Sequence, residues 1–413
     1  MSLYTDAREI WEAAIAASLP DQAVKRALAD FTPGPGRLVL AAVGKAAWRM
    51  ARAALDCLED RVDGGVVITK HGHLAGPLPG LVCREAGHPV PDGDTFAAAD
   101  VLLRATGDLR EGDTVVLLLS GGGSALFEKP LCSPGELLDI TGQLLSRGAD
   151  ITEINAVRKR LSAVKGGRFA LHCAPARVFS VILSDVLGDR ADTIASGPAC
   201  PDASTCAQAL AAAEKYRLAL SPQARALLER ETPKALDNAA WVVAGGVGGL
   251  CRAALDRCRA LGYRASLLTD ALACEAREAG EMLGALAREH ADTAEPLAFV
   301  AGGETVVRLT GSGLGGRNQE VALSAAPALA GLAGAAVFSV GSDGTDGPTD
   351  AAGGYVDGGT AGRLAALGLD TAAVLADNDA YHALDRVGGL IRTGPTGTNV
   401  NDLSVLLLRP PVR

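Results

Sequence analysis

Three carboxylates fall within eight residues of one glycine-rich segment, residues 341–354: Asp343, Asp346 and Asp350. The segment follows the apolar run Val337-Phe338-Ser339-Val340, which predicts a buried strand. Ligands of α/β proteins bind at the carboxyl ends of such strands, and Mg²⁺ binds through one or two carboxylates while leaving room for phosphates. The segment is therefore a candidate magnesium site. An acidic turn facing solvent is the alternative, because Asp-Gly and Gly-Pro are common turn dipeptides.

A lysine stands in the first turn of a predicted helix, in the sequence Val43-Gly44-Lys45-Ala46-Ala47. This is not a P-loop, because no glycine lies five residues before Gly44 and an alanine replaces the hydroxyl residue that would bind Mg²⁺. The helix dipole disfavours a cation at this end of a helix. Lys45 therefore indicates binding of a carboxylate or phosphate, and an exposed surface lysine is the alternative.

Three consecutive glycines follow another predicted strand, in Ser120-Gly121-Gly122-Gly123-Ser124. Bare backbone N–H groups in such a loop can form a concave site for an anion. Three glycines in an ordinary turn would lose conformational entropy on folding with no compensating interaction. The sequence therefore predicts an anion-binding loop at residues 120–124.

A third glycine-rich region combines Gly302-Gly303-Glu304-Thr305 with residues 311–320. Within it, Gly311, Gly313 and Gly316 match the dinucleotide-binding pattern G-x-G-x-x-G. The pattern alone is weak evidence. The polar sequence Arg317-Asn318-Gln319-Glu320 follows it where a dinucleotide-binding helix would pack tightly on its sheet.

A basic segment, residues 155–168, contains five cations in an otherwise acidic chain. They are Arg158, Lys159, Arg160, Lys165 and Arg168. Most charge runs of this kind form a solvated helix face. That is the expectation for this segment.

Apolar runs that alternate with helical stretches must position these residues. The runs predict strands at residues 37–43, 65–69, 114–119, 178–183, 241–244, 264–268, 297–301, 305–309 and 404–408. Many of them are apolar on consecutive positions, as in parallel sheets covered on both faces. We expect two α/β domains, a Rossmann-like domain at 1–237 and a second at 238–413, each with a largely parallel sheet covered by helices.

Composition excludes several classes of function. The chain has 413 residues, 48% hydrophobic and 4% aromatic, with a net charge of −9 and no basic block. This composition predicts a soluble protein that does not bind nucleic acid.

Residues 321–342 lack charge, but their Ala, Gly and Pro content favours a buried helix and strand over a membrane span. Nine cysteines without a CxxC pattern, and an amphipathic rather than signal-like N-terminus, predict a reducing, cytoplasmic location.

Eight motifs in order resemble the glycerate 2-kinase family of the MOFRL-domain type. They are VGKAA at 43–47, EAGHPVPD at 85–92, SGGGSAL at 120–126, NAVRKRLSAVKGGR at 155–168, SDVLGDRADTIASGP at 184–198, GGRNQE at 315–320, GSDGTDGPTDAA at 341–352 and TGPTGTNVNDL at 393–403. The resemblance covers nearly the whole chain. Two positions depart from the family pattern: Arg190 stands where an acid is frequent, and Leu314 where a small polar or basic residue is common.

The resemblance implies transfer of the ATP γ-phosphate to the 2-hydroxyl of D-glycerate, with Mg²⁺, in a cleft between the two domains. It implies catalytic roles for Lys45, Arg317 and Asp185, substrate and phosphate binding by Ser120, Gly121, Gly122, Gly123, Ser124, Asn318 and Glu304, and metal binding by Asp343 and Asp346. An NAD(P)H-dependent hydroxypyruvate reductase is one alternative, because relatives carry that older label, and a non-catalytic sensor of a sugar acid or nucleotide on the same fold is another. These functions involve only small molecules, and a homodimer is left open.

Overall fold

A computed structural model describes residues 2–184, 186, 188 and 190–410 of the chain. The chain divides into two compact units, a first unit of Pro20–Ala244 and a second unit that joins Met1–Leu19 to Gly245–Arg413. This division differs from the expected one at 237/238, because the N-terminal helix belongs to the second unit. Its Asp6 accepts hydrogen bonds from Tyr263 and Arg409, and burial of these groups ties the helix to the later part of the chain.

The first unit is built on a six-stranded sheet with the order β3-β2-β1-β4-β5-β6. The strands are β1 (Leu38–Val43), β2 (Gly64–Lys70), β3 (Leu81–Ala86), β4 (Thr114–Leu119), β5 (Arg177–Leu183) and β6 (Ala239–Gly245). The pairings of β1 with β2 and β4, of β2 with β3 and of β4 with β5 are parallel. Strands β1 and β4 are buried at every position, which explains their continuous apolar sequences.

The helices of the first unit cover this sheet and extend beyond it. They are α2 (Pro20–Leu28), α3 (Ala47–Leu58), α4 (Gly93–Ala105), α5 (Gly123–Leu126), α6 (Pro134–Ser146), α7 (Ile151–Leu161), α8 (Arg168–Cys173), α9 (Cys206–Lys215) and α10 (Pro222–Leu228). Helix α3 begins at Ala47, so Lys45 lies in the turn that joins β1 to α3 rather than in the helix.

The second unit has its own six-stranded sheet, with the order β11-β10-β9-β12-β8-β7. Its strands are β7 (Arg264–Leu272), β8 (Leu297–Gly303), β9 (Ala335–Gly341), β10 (Gly353–Asp357), β11 (Leu390–Ile391) and β12 (Asp402–Leu408), and its helices are α1 (Leu3–Ala17), α11 (Val247–Ala260), α12 (Ala276–Glu289), α13 (Arg317–Leu329), α14 (Thr360–Ala366), α15 (Thr371–Ala376) and α16 (Ala380–Arg386). Strands β7, β8, β9 and β11 share one direction, whereas β10 and β12 are antiparallel to their neighbours.

The expected fold class, two α/β units whose sheets are covered by helices, is confirmed, and the first sheet is largely parallel as expected. In the second sheet four strands share one direction, but only the pairing of β7 with β8 is parallel. The uncharged residues 321–342 divide into α13 and β9, and none of the described helices is long and apolar enough to cross a membrane. The prediction of a strand at 305–309 is wrong: the segment forms only an isolated bridge between Glu275 and Val306. Its apolar, β-branched residues resemble those of a strand, but among the described residues only Glu275 pairs with it.

Candidate active site

Arg317, the first residue of α13, is held by two carboxylates. Its Nη1 donates to Glu304 Oε1 at 2.7 Å, its Nη2 donates to Asp402 Oδ1 at 3.1 Å, and its Nε lies 2.6 Å from Asp402 Oδ2. Glu304 directly follows β8 and Asp402 begins β12, and these strands pair with Asp402 opposite Gly303. The register of two strands therefore places both carboxylates beside the start of α13. Sequence reasoning found Arg317 and Glu304 but missed Asp402, although it stands in the 393–403 motif.

Burial and charge perturb this group of residues strongly. Burial lowers the pKa of the Arg317 guanidinium, but Asp402 and Glu304 together raise it above its usual value. Burial raises the pKa of Asp402 to about 6, although the neighbouring Arg317 acts in the opposite direction. Strongly perturbed groups in a concave site are typical of functional sites.

Asp346 caps the N-terminus of α13 from outside the helix. It is 2% exposed, its Oδ1 accepts from the Asn318 N–H at 3.1 Å, and its Oδ2 accepts from the Gln319 N–H at 2.9 Å. Burial raises its pKa to about 7, against the lowering by these backbone donors. Only a glycine fits at 316, because a Cβ there would lie 2.3 Å from the Asp346 Cγ. The anion position at this helix N-terminus is thus filled by a side chain of the same unit.

In the glycine loop before α13, the backbone donors of residues 310–314 are occupied as well. Asn378 Oδ1 accepts from the N–H groups of Thr310 and Gly311 at 2.7 and 2.9 Å. The neighbouring residues of Asn378 accept from the N–H groups of Ser312, Gly313 and Leu314. A dinucleotide pyrophosphate would need such donors and the helix N-terminus free. The N–H groups of residues 310–314 are therefore already paired within the second unit, and this part of the G-x-G-x-x-G pattern offers no free donors to a dinucleotide.

Asp343 differs from Asp346 in being partly exposed. Its Oδ1 accepts from the N–H and hydroxyl of Thr345 at 2.9 and 3.0 Å. Among the described residues, none donates a hydrogen bond to Asp343 Oδ2. Asp343 thus retains an oxygen that a cation could bind.

A cavity of about 790 Å³ brings several of these residues together within the second unit. It is lined by Arg317, Asp343 and Asp346, by the glycine loop at 311–316, and by the residues Thr305, Val306, Val307, Leu309, Glu320, Thr345, Gly347, Pro348 and Asn378. Its volume is typical of a pocket for a small-molecule ligand. Asn318 lies elsewhere: it is 1% exposed, accepts from Ser339 Oγ at 2.6 Å, and does not line the cavity.

The predicted anion loop of the first unit follows β4 and leads into α5. Its Ser120 Oγ accepts from the Ala46 N–H at 3.1 Å, and the Lys45 N–H donates to the Gly121 carbonyl at 2.9 Å. Within the described part of the chain, no group accepts a hydrogen bond from the N–H of Gly121 or Gly122. The loop therefore presents unpaired backbone donors beside the turn that carries Lys45.

His88 packs against the same loop. A Cβ on Gly122, whose φ is +85°, would lie 3.0 Å from the His88 Cδ2 and 3.3 Å from the Lys45 Cγ. Burial, together with the charges of Lys45 and Lys70, lowers the pKa of His88 to about 4. The imidazole is therefore neutral at pH 7, so Lys45 supplies the positive charge at this position.

The basic segment at 155–168 lies in the interior, so the expected solvated face is wrong. Lys159 Nζ donates to Asp202 at 2.9 Å, and the fully buried Arg160 donates to Glu231 at 2.9 Å. Lys165 Nζ donates to the carbonyl of Ser124 at 2.9 Å and lies 3.3 Å from the buried Glu128. Lys159 and Lys165 thus pair with the buried Asp202 and Glu128, and Lys165 also supports the glycine loop at 120–124 through Ser124, contacts that a charge count along the sequence does not reveal.

One predicted site residue and one group that the sequence did not indicate lie away from these residues. Asp185, the predicted proton acceptor, lies outside the described residues. One group of three carboxylate and imidazole ligands lies close together among the described residues, His71 with Asp92 and Asp94. Asp92 already caps α4 through the Thr95 N–H at 2.9 Å, so this group has a structural role.

Comparisons with known proteins give consistent matches over the whole chain. Residues 6–229 match a family model described as a domain of unknown function, DUF4147, and residues 297–402 match the MOFRL family. The D-glycerate 2-kinase of Thermotoga maritima is 50% identical over 98% of this chain and 99% of its own length. A putative hydroxypyruvate reductase of Agrobacterium vitis is 40% identical over 97% of this chain and 93% of its own length. The crystal structure of glycerate kinase from T. maritima superposes with a TM-score of 0.95 at 49% identity, covering 98% of this chain and 99% of that one.

Proposed function

Because the chain belongs to the MOFRL-type glycerate 2-kinase family, we propose that it transfers the γ-phosphoryl group of ATP to the 2-hydroxyl of D-glycerate. The products are 2-phospho-D-glycerate and ADP. The observation that carries this proposal is the fixed guanidinium of Arg317 at a cavity of about 790 Å³. Phosphoryl transfer depends mainly on positioned positive charge, since its transition state is metaphosphate-like.

Lys45 and Arg317 supply that charge in different ways. Arg317 presents a rigid, planar donor set whose orientation is set by Glu304 and Asp402, which suits the oxygens of a phosphate. Lys45 presents a compact ammonium, and within the described residues no carboxylate lies within 4.0 Å of it. Both cations stabilise the negative charge of the transferring group.

Mg²⁺ fits this site through Asp343 rather than through Asp346. Asp343 keeps one carboxylate oxygen available, whereas both oxygens of the buried Asp346 accept from the backbone of α13. When bound, Mg²⁺ neutralises phosphate charge. Asp346 fixes the start of α13 and thereby the position of Arg317.

The loop at residues 120–124 is the candidate site for the glycerate carboxylate. The free N–H groups of Gly121 and Gly122 can donate to an anion, and Lys45 adds a charge beside them. A carboxylate fixed there also fixes the adjacent 2-hydroxyl of glycerate, whereas the 3-hydroxyl is one carbon further from the fixed group and is less restricted. Asp185 is the proposed acceptor of the hydroxyl proton.

The setting proposed for this activity is a cytoplasmic one, in which ATP is available. The nine cysteines are all unpaired in the structure, which is consistent with a reducing compartment. The net charge of −9 argues against nucleic acid as a partner. Assembly as a homodimer is a further proposal, testable by light scattering.

The decisive experiment supplies purified protein with D-glycerate, ATP and Mg²⁺, and adds enolase without phosphoglycerate mutase. We expect immediate consumption of the product, because enolase acts on 2-phosphoglycerate. A product that enolase consumes only after mutase is added would overturn the proposed regiochemistry. Oxidation of NADPH by hydroxypyruvate without any ATP-dependent product would establish the reductase alternative.

A further inference from the structure

Residues 305–309 leave two large apolar side chains facing solvent beside the cavity. Val306 is 62% exposed and Leu309 is 80% exposed, and both line the cavity that contains Arg317 and Asp343. Thr305 is buried and Val307 packs against the core of the second unit. Thr305 and Val307 therefore face inward, whereas the two residues after Val307 are both exposed, so the segment does not keep the strict alternation of a strand. In the part of the chain that the structure describes, no strand covers its exposed side.

The backbone of this segment is fixed at both ends. At the first end, the Val306 N–H donates to the Cys274 carbonyl at 3.0 Å, and the Ala276 N–H donates to the Val306 carbonyl at 2.9 Å. At the second end, the N–H and hydroxyl of Thr310 donate to Asn378 Oδ1 and the Ala376 carbonyl. Hydrogen bonds therefore hold the backbone that exposes Val306 and Leu309, so the segment differs from the frayed end of a loop.

Asn378, which accepts the hydrogen bond from Thr310, is itself bonded to a buried residue. Asn378 Nδ2 donates to Glu320 Oε1 at 2.7 Å, and Glu320 lies 2.9 Å from Arg277 Nε. Glu320 is 1% exposed, so this arrangement is anchored below the cavity floor. A preorganised apolar surface binds a flat ligand without a large ordering cost.

Apolar and polar surfaces occupy different parts of one cavity. Val306, Val307 and Leu309 form the apolar part, while Arg317, Asp343 and Thr345 supply charged and polar groups. ATP has the same division, an aromatic base with little charge and an anionic triphosphate. An apolar lining with a few polar groups that fix orientation is typical of small-molecule pockets.

We propose that Val306 and Leu309 form the slot that receives the nucleobase of ATP, with the triphosphate directed towards Arg317 and Asp343. This assignment rests on the proposed kinase function and adds the orientation of the nucleotide within the second unit. Contact of the two side chains with the base removes apolar surface from water, and this burial favours ATP over a triphosphate that lacks a base.

The test compares ATP with inorganic tripolyphosphate, which has the anionic chain but no base. The variants are Val306→Asn and Leu309→Asn, and the control is Leu367→Asn, which replaces a leucine that is 49% exposed and does not line the cavity. Because the replaced side chains are exposed, we expect all three proteins to fold with an unchanged melting temperature.

We expect Leu309→Asn to raise the KM for MgATP about tenfold and Val306→Asn to raise it several-fold, as follows from the loss of an apolar contact. The KM for D-glycerate, kcat and the inhibition constant of tripolyphosphate should stay within about twofold of wild type, and Leu309→Met should retain the wild-type KM for MgATP. An unchanged KM for MgATP in both Asn variants would overturn the slot. A parallel rise in the tripolyphosphate inhibition constant would also overturn it, since the loss would then concern the phosphates.

Direct binding separates this proposal from the proposed reaction. If wild-type protein makes no ATP-dependent product, the kinase assignment fails, and calorimetric titration with MgATP then decides the slot. Binding of ATP by wild type that is weakened in Leu309→Asn but not in Leu367→Asn would support the slot. Absent ATP binding by wild type, or equal binding by the variants, would reject it.

Discussion

The loop at 120–124 in the first unit and the loop at 311–316 in the second are both rich in glycine, but they use their backbone N–H groups differently. In the first, no described residue accepts from Gly121 or Gly122. In the second, Asn378 and its neighbours accept from the N–H groups of residues 310–314. Glycines therefore indicate an anion site only where no acceptor in the same chain already occupies their donors.

The two regions also hold their cations differently. Arg317 is fixed by Glu304 and Asp402, which compensate much of its charge. Lys45 has no carboxylate within 4.0 Å among the described residues, and the neighbouring His88 is neutral at pH 7 because burial lowers its pKa to about 4. The positive charge of Lys45 is therefore uncompensated, whereas the guanidinium of Arg317 has a fixed orientation.

Removal of either cation is expected to change activity more than the other substitutions proposed. The two variants should also differ in melting temperature, because only Arg317 is paired with carboxylates. Lys45→Met and Arg317→Met should each lower kcat at least about a hundredfold, because each removes several kcal/mol of transition-state stabilisation. Only Arg317→Met should also lower the melting temperature, by about 2 °C or more, since it leaves the buried Asp402 without its partner. Steady-state kinetics and scanning calorimetry measure the two effects.

Lys25→Met and Arg392→Met are the controls for these variants. Lys25 is an exposed residue of α2, and Arg392 pairs with Asp350 and Asp385 on the surface. Both controls should retain wild-type kcat. Activity of Lys45→Met or Arg317→Met within about threefold of wild type would remove that residue from the catalytic set.

A methyl group in the first loop tests whether its donors bind glycerate. Gly122→Ala should raise the KM for D-glycerate about tenfold, with the KM for MgATP unchanged, because the new Cβ would lie against His88 and Lys45. Gly148→Ala is the matched control: φ is +73° there, but nothing lies within 4 Å of the added Cβ. Equal kinetics of the two variants would show that backbone strain, rather than the anion loop, explains any loss.

Substitution of Asp343 tests the exposed carboxylate of the second region. Asp343→Asn should raise the Mg²⁺ concentration for half-maximal rate several-fold, because an oxygen donor loses its charge. The same titration with Asp350→Asn, which changes a carboxylate bound to Tyr381 and Arg392, should follow wild type. Identical Mg²⁺ titration curves for Asp343→Asn and wild type would contradict a metal site at Asp343 and support the interpretation of the segment as an acidic turn.

The smallest effect is expected from Asp346 and appears in the pH dependence of stability. The pKa of Asp346 is about 7 in the folded protein, above its usual value in an unfolded chain, so the folded state binds more protons between these two pKa values. Its contribution to stability is present at low pH and is lost as pH rises towards 7. Asp346→Asn should therefore reduce the fall in melting temperature between pH 5 and pH 8 by about 2 °C. Parallel curves for variant and wild type would contradict the raised pKa.

The amino-acid sequence determined most of the fold and part of the candidate site. Consecutive apolar residues such as those of β1 and β4 indicated buried strands, because only strands covered on both faces need them. The motifs around Lys45, residues 120–124 and Arg317 are local in sequence, so their chemistry could be predicted without coordinates. The second sheet was harder, since β10 and β12 are antiparallel insertions whose pairing depends on distant residues.

Tertiary structure alone decided which of these groups are free to bind a ligand. The pairing of the buried Lys159 with Asp202, the capping of α13 by Asp346 and the support of the glycine loop before α13 by Asn378 all join residues far apart in sequence. The same holds for Asp402, which reaches Arg317 through the pairing of β12 with β8. A sequence shows where donors, acceptors and charges stand along the chain, but whether each is already paired depends on three-dimensional neighbours, because hydrogen bonds and ion pairs act over a few ångströms.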